Sequence, residues 1–192
     1  MRKVIVNEFL ALDGTAQAPG GPDEDTSGGF QHGGWHMQHG AGSGMVKVIG
    51  EAGGFLLGRR TYELFAGYWP NAEAAQDIAG PMNTKPKHVA STTLTGALEW
   101  QNSSVLPGAL PEAVAALKEE GGGDLLVIGS TVLVQSLIQH SLVDEFRLIV
   151  DPVLVGGGKR IFPDDGTARP MDLVSSAITS TGVQVCTYRF AT

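Results

Sequence analysis

The chain has 192 residues, 42% of them hydrophobic, and a net charge of −7. That is enough to bury a substantial core in one domain over residues 1–192, and too acidic for a general nucleic-acid or anionic-membrane surface. One cysteine, Cys186, excludes an intramolecular disulfide and reads as a strand packing residue. The chain runs directly into Val4-Ile5-Val6, with no charged-then-apolar leader and no apolar run near the roughly eighteen residues of a membrane span, so a soluble, cytoplasmic protein is expected.

Lys3 to Leu10 has the β-branched content of a first strand, and Leu12-Asp13-Gly14 supplies a turn in which glycine accepts a positive φ. From Gly20 to Gly44 the composition shifts to Gly, His and acidic residues without a sustained period. This predicts a long shaped loop, anchored by Phe30 and Trp35. Met45, Val48, Ile49 and Ala52 follow helical spacing up to Gly53-Gly54. Phe55-Leu56-Leu57 is a strand that passes through Gly58-Arg59-Arg60-Thr61 into a helix marked by Tyr62, Leu64 and Phe65. A short helical piece from Ala72 to Ala79 is predicted to end at Gly80-Pro81, and Lys87 to Ser91 is a strand closing in a Ser-Thr-Thr run. Pro111 in a first turn, with Ala113, Val114 and Leu117 on one side and Gly121 past the end, marks another helix.

The stretch from Asp124 to Ile138 organises the rest. Leu125 to Ile128 form a short strand buried on both faces, and a helix carrying Leu133, Val134, Leu137 and Ile138 follows Gly129 at once. The hydroxyl of Ser130 or Thr131 is expected to cap its first turn. Glu145 to Val150 is a strand stopped by Asp151-Pro152, Gly156 to Arg160 is a basic glycine turn, and Met171–Ile178 with Val183–Phe190 make a hairpin through Thr181-Gly182. Strands and helices alternate to about residue 150, after which strands follow alone. This order predicts an α/β fold with a mixed, mostly parallel central sheet flanked by helices and an antiparallel C-terminal hairpin.

In such sheets ligands gather at the carboxyl ends of strands. Three turns meet that description: Gly58 to Thr61, Ser91 to Thr93, and Gly129 to Leu133. A strand opening directly into a helix leaves free N–H groups and roughly half a positive charge at the helix start. Such turns also occur where nothing binds, and Arg59 with Arg60 is equally a solvated surface pair. Taken together, the guanidinium forks, hydroxyls and glycines describe a cradle for a nucleotide with several phosphates.

These residues carry a resemblance. Leu12-Asp13-Gly14, Gly28-Gly29-Phe30 with Gly33-Gly34-Trp35, Leu56 to Glu63, Val89 to Leu94, Val127 to Ser130, Leu142 to Glu145, Pro152-Val153-Leu154, and Gly156 to Phe162 follow one another in order over nearly the whole chain. The chain resembles the dihydrofolate reductase superfamily, and more closely its small bacterial members related to the reductase domain of the bifunctional riboflavin-biosynthesis deaminase/reductase. The resemblance implies a dihydrofolate reductase-like fold and use of NADPH, with NADH as the alternative. It assigns Gly58, Arg59, Arg60 and Thr61 to cofactor phosphates, Ser91 and Thr92 to the adenosine 2′-phosphate, and Ile128, Gly129, Ser130, Thr131, Val132 and Leu133 to the pyrophosphate turn. Many relatives carry Ser-Arg-Thr where this chain has Ser91-Thr92-Thr93, so one guanidinium for the 2′-phosphate is missing, a loss Arg59 is placed to cover.

The resemblance puts the nicotinamide beside the first strand and the Leu12-Asp13-Gly14 turn, under a roof formed by Gly20 to Gly44. Dihydrofolate reductases place a carboxylate on the helix after their Pro-Trp motif, whereas Trp35 to Gly50 contains no Asp or Glu here. Asp13 is the polar candidate near the reacting centre, or else a turn aspartate bonding its own backbone. Trp35 is a stacking wall for a planar heterocycle, or else an anchor of the loop. His32, His36 and His39 have spacing that can serve a metal, but Gly33, Gly34 and Gly40 resist a rigid site, so no metal is expected; a loop histidine can instead supply the missing proton. Two function classes follow: a reductase of a small conjugated substrate, pterin- or ribosylaminopyrimidine-like, and a nucleotide-binding or oligomeric relative without turnover. Relatives imply a homodimer, supported here by the apolar strand Phe146 to Val150 and the closing hairpin.

Overall fold

A computed structural model describes residues 1–39 and 44–191, so Gly40 and part of the long loop lie outside the described residues. Eight strands form one sheet in the order β4-β3-β2-β5-β1-β6-β8-β7. They are β1 (Val4–Ala11), β2 (Gly54–Gly58), β3 (Lys87–Ala90), β4 (Ser103–Val105), β5 (Leu125–Ile128), β6 (Glu145–Asp151), β7 (Met171–Ile178) and β8 (Gln184–Phe190). β1 to β6 pair in parallel, while β8 runs antiparallel to both β6 and β7. The expected α/β architecture with its antiparallel closing hairpin is thus the observed one. Helices α1 (Met45–Glu51), α2 (Arg59–Tyr68), α3 (Gln76–Thr84), α4 (Leu110–Glu119) and α5 (Thr131–Gln139) flank it. None of the described helices is long and apolar enough to cross a membrane.

The sheet divides two cores. Val4, Val6 and Leu10 of β1 pack with Val127, Phe146 and the apolar stripe Leu133, Val134, Leu137 and Ile138 of α5. Ile5 faces the other way, toward Phe55, Leu57, Ile49, Met82 and Trp100. All four residues of β5 are buried, as a strand covered on both faces requires. Full burial of each such side chain is worth roughly 1.5–3 kcal/mol, so β5 and α5 hold the centre of the fold.

Two expectations fail for instructive reasons. The helix predicted to stop at Gly80-Pro81 instead runs through Pro81 to Thr84. Proline removes only the N–H that would meet the carbonyl of Asp77, an exposed residue whose carbonyl water can serve. The helix end is then held from the sheet: Lys87 Nζ on β3 donates to the carbonyls of Met82 (2.9 Å), Asn83 (3.2 Å) and Lys85 (2.9 Å), and lies 4.3 Å from the centre of the Trp100 ring. Lys85 does the same for the end of α1, donating to the carbonyls of Ile49 and Gly50. β4, a three-residue strand, carries no periodicity long enough to read. Phe146 and Ile149 of β6 are only 1% exposed, so this strand is interior and any apolar contact surface falls to β7, exposed along its length.

Burial draws the Lys87 ammonium down to about 8, against the carbonyls and the indole face that favour its charge. Lys87→Met should leave three carbonyls without their donor and cost about 2–4 kcal/mol in urea unfolding. A second test concerns Glu8, buried on β1 with its Oε1 unpartnered among the described residues. Burial, reinforced by the charge of Glu24, raises its pKa well above the ordinary glutamate value. The folded state therefore holds this proton more tightly than the unfolded chain, and stability is lost as pH rises above the ordinary glutamate pKa toward the folded value. The melting temperature of Glu8→Gln should gain on that of the parent as pH rises from about 5 to 8; parallel curves would refute the assignment.

Candidate functional site

Three strand ends stand side by side. β2 lies between β3 and β5, and Gly58 at its end is in register with Ala90 at the end of β3. Arg59 and Ser91 therefore begin adjacent turns. β2 and β5 are joined beyond their last residues by a hydrogen bond from Gly58 N–H to Ser130 Oγ, 2.9 Å. A Cβ on Gly58 would lie 3.4 Å from the Ser130 side chain, and one on Gly129 would lie 3.3 Å from Thr61 Cγ2. Gly129 and Ser130 both take left-handed conformations, with φ of +61° and +63°. Gly129 is favoured by its left-handed φ and by the Thr61 methyl close to where a Cβ would stand, whereas at Gly58 a Cβ would meet Ser130 at ordinary contact distance.

Ser130 occupies the N-cap position of α5 without capping it, because its hydroxyl is engaged by Gly58. This corrects the expected cap. Gly58 at the head of α2 also supplies no side-chain cap. Two helices of nine and ten residues therefore begin next to one another with first-turn N–H groups unanswered by a cap side chain. Both positive helix ends favour an anion there. Arg59 and Arg60 stand in the first turn of α2; Arg59 Nη1 reaches Glu63 at 3.0 Å across a half-exposed i,i+4 pair. Ser91 Oγ accepts from Thr93 N–H (3.1 Å) and Leu94 N–H (2.9 Å) and lies 3.4 Å from Thr93 Oγ1, contacts that shape its turn. Thr92 and Val132 are exposed, and Leu133 is core. Gly58, Arg59, Arg60, Thr61, Ser91, Thr92, Ile128, Gly129, Ser130, Thr131, Val132 and Leu133 thus lie on three adjoining strand-end turns, where two uncapped helix starts can receive an anion.

β1 extends past the end of β5. That strand stops at Ile128 opposite Asn7, whereas β1 runs on to Ala11 with β6 as its only strand partner among the described residues. In this stretch Glu8, Leu10 and Ala11 are buried and Phe9 is partly exposed. The loops that close this end are tied together by polar contacts. Asp13 takes Thr15 N–H on Oδ1 (3.2 Å), and Val155 N–H (3.1 Å) and Gly156 N–H (2.7 Å) on Oδ2. Desolvation acts to raise its pKa, but the N–H groups of Gly156, Thr15 and Val155 outweigh this and hold the carboxyl below its ordinary value. Trp35 is 4% exposed and its indole N–H donates to the carbonyl of Gln17, 2.8 Å. Lys159 binds Asp25 and Ser27, fastening the glycine turn to the long loop. Between them, Ser27 to Phe30 and Gly156 to Gly158 wall a cavity of about 440 Å³.

Of the three loop histidines, His32 is exposed against Phe30, while His36 is buried with Nδ1 3.0 Å from both oxygens of Asp151. The two are 115 residues apart, and no spacing in the sequence announces the contact. The only signals are an acidic residue closing a buried strand before Pro152 and a histidine following a loop-anchoring tryptophan. Glu8 likewise escaped notice because it sits inside a strand that otherwise reads as apolar.

Comparison with known proteins gives the fold and the family. The chain is 26% identical over 193 residues to an uncharacterized Bacillus subtilis (strain 168) protein, YyaP, covering 98% of this chain and 95% of that one. Its fold is shared with a putative riboflavin biosynthesis protein from Shewanella sp. PV-4 (TM-score 0.73, 20% identity, 99% of each chain). It is also shared with dihydrofolate reductase from Enterococcus faecalis, solved in complex with NADP(H) (TM-score 0.61, 16% identity, 99% and 97% of the two chains). A pyrimidine reductase-like protein from Corynebacterium diphtheriae gives a TM-score of 0.63 at 10% identity over 100% and 92%. Residues 2–185 match the sequence model of the RibD C-terminal domain, and the chain belongs to that reductase-type family.

Proposed function

We propose that this protein is an NADPH-dependent reductase of a small conjugated substrate, pterin- or ribosylaminopyrimidine-like, acting as one domain in the cytoplasm. The observation that carries the reading is the Gly58 to Ser130 hydrogen bond, which joins two uncapped helix starts into one anion site beside the Ser91 turn. A bound nicotinamide cofactor would supply the hydride; the chain's own work is to hold it and orient the substrate. Arg59, Arg60 and Thr61 would grip phosphate, with Ser91 and Thr92 next to them at the adenosine end. The first-turn N–H groups of Thr131, Val132 and Leu133 would meet the pyrophosphate. The nicotinamide then lies beside the far end of β1 near Phe9, and the long loop takes the substrate, with buried Trp35 holding that loop in shape through the Gln17 carbonyl.

α1 contains one acidic residue, Glu51, exposed at its last position, so this helix offers no buried carboxylate to a pterin. That favours substrates other than dihydrofolate. It also keeps the second reading alive, a relative that binds nucleotide without turning over. Oxidation of bound NADPH by a panel of dihydropterins, ribosylaminopyrimidines and quinoid compounds separates the two: turnover on none of them overturns the reductase.

Binding can be tested first. Arg59→Ala should weaken NADPH about tenfold, or ~1.4 kcal/mol, and weaken NADH less, because the 2′-phosphate loses its guanidinium. Glu63→Gln, which frees Arg59 from its carboxylate partner, should tighten NADPH. Equal effects of Arg59→Ala on both cofactors in fluorescence titrations would remove Arg59 from the 2′-phosphate site. We also infer a homodimer through the closing hairpin, where Leu173 and Ile178 of β7 are 54% and 74% exposed. Light scattering should give twice the chain mass, and a monomer at micromolar concentration would rule it out.

A further inference from the structure

We propose that His36, held in place by Asp151, is the acid that delivers the proton in the reduction, with Asp151 as its positioning residue. The inference rests on the reductase reading and adds a proton path to it. Asp151 ends β6 in register with Ala11 of β1 and is fully buried, with both oxygens 3.0 Å from His36 Nδ1. The His36 ring lies with its centre 4.0 Å from that of Phe9, within the stretch of β1 that has no β5 neighbour. An imidazole thus stands against Phe9, the partly exposed residue of β1, on the length of that strand which runs past the end of β5.

The carboxylate fixes the chemistry of the ring. Asp151 accepts only, so Nδ1 keeps its hydrogen in either charge state and the proton that comes and goes is the one on Nε2. Among the described residues no partner engages Nε2. As hydride reaches the carbon of a conjugated C=N or C=O bond, the π pair moves to the heteroatom, which takes the Nε2 proton. The ring is left neutral, with Nδ1–H still on Asp151, and water restores the lost proton.

Other acids near the edge are spoken for. Both oxygens of Asp13 are held by backbone N–H groups, Glu51 is exposed at the end of α1, and strand alternation turns Glu8 to the opposite face of β1 from Phe9. Lys159 is paired with Asp25, and His32 is exposed on the far side of Phe30.

The test begins with the full chain carrying isotope-labelled histidine. On saturation with NADPH the His36 ring resonances should move, whereas those of His140, exposed beyond the end of α5, should not. In Asp151→Asn the signature of a single Nδ1–H tautomer should be lost. With a substrate from the panel above, His36→Gln should slow single-turnover reduction thirtyfold or more while changing the NADPH dissociation constant less than threefold. NADPH that binds without moving the His36 signals, or a glutamine variant that reduces at the parent rate, overturns this proposal and leaves the reductase standing. A protein that fails to bind NADPH at all brings down the reductase reading, and the proton path with it.

Discussion

The arrangement depends on one close approach, the meeting of two strand-to-helix turns through the Gly58 amide and the Ser130 hydroxyl. It needs Gly129, whose left-handed backbone brings it close to the Thr61 methyl, and it needs Ser130 to accept a left-handed backbone at a cost of roughly 1–2 kcal/mol. The conformation is tolerated because the hydroxyl gains a firm partner on the neighbouring strand. It also diverts the one side chain that would have capped α5, so the helix keeps its first N–H groups for something else. Local strain, a tertiary contact and an uncapped helix start are three aspects of the same residue.

Much of this was legible in the chain. The run Leu125 to Ile128 between glycines announced a strand covered on both sides, and the change from alternating elements to strands alone announced the antiparallel edge. Glycine after a strand with a helical stripe beyond it located the strand-to-helix turns at Gly58 and Gly129, because those signals are local. What remained hidden was non-local. Nothing near Ser130 in sequence says that its oxygen will answer an amide 72 residues away instead of its own helix. Pro81 reads as a helix end until Lys87, on the next strand, is seen gathering the last carbonyls of α3. The pairing of His36 with Asp151 belongs to the same class, since two polar residues in separate segments meet only once the sheet places β6 beside β1.

The described part of the long loop, Gly20 to His39, shows how a glycine-rich segment can hold a definite shape. Its glycines admit the left-handed turns at Gly28, Gly29 and Gly34, and tight contact of Gly33 with the backbone at Gly21 and Pro22 closes it on itself. Its anchors are few and polar-tipped: the Trp35 indole on the Gln17 carbonyl, the Gln17 amide on the carbonyls of Asp25 and Ser27, and Lys159 on Asp25. Each satisfies a donor that burial would otherwise penalise by roughly 1–3 kcal/mol, so the loop is shaped more by paired polar atoms than by apolar area.

Asp13 has a mechanical consequence. One of its oxygens grips the turn it belongs to and the other grips the backbone at Val155 and Gly156, so it rivets together two rims over the end of β1 that Thr15 Oγ1 on the Gly157 carbonyl also joins. Neither rim can swing away alone without stranding a carboxylate, and any widening of the entrance must carry both lips as one moving part or break the joint outright.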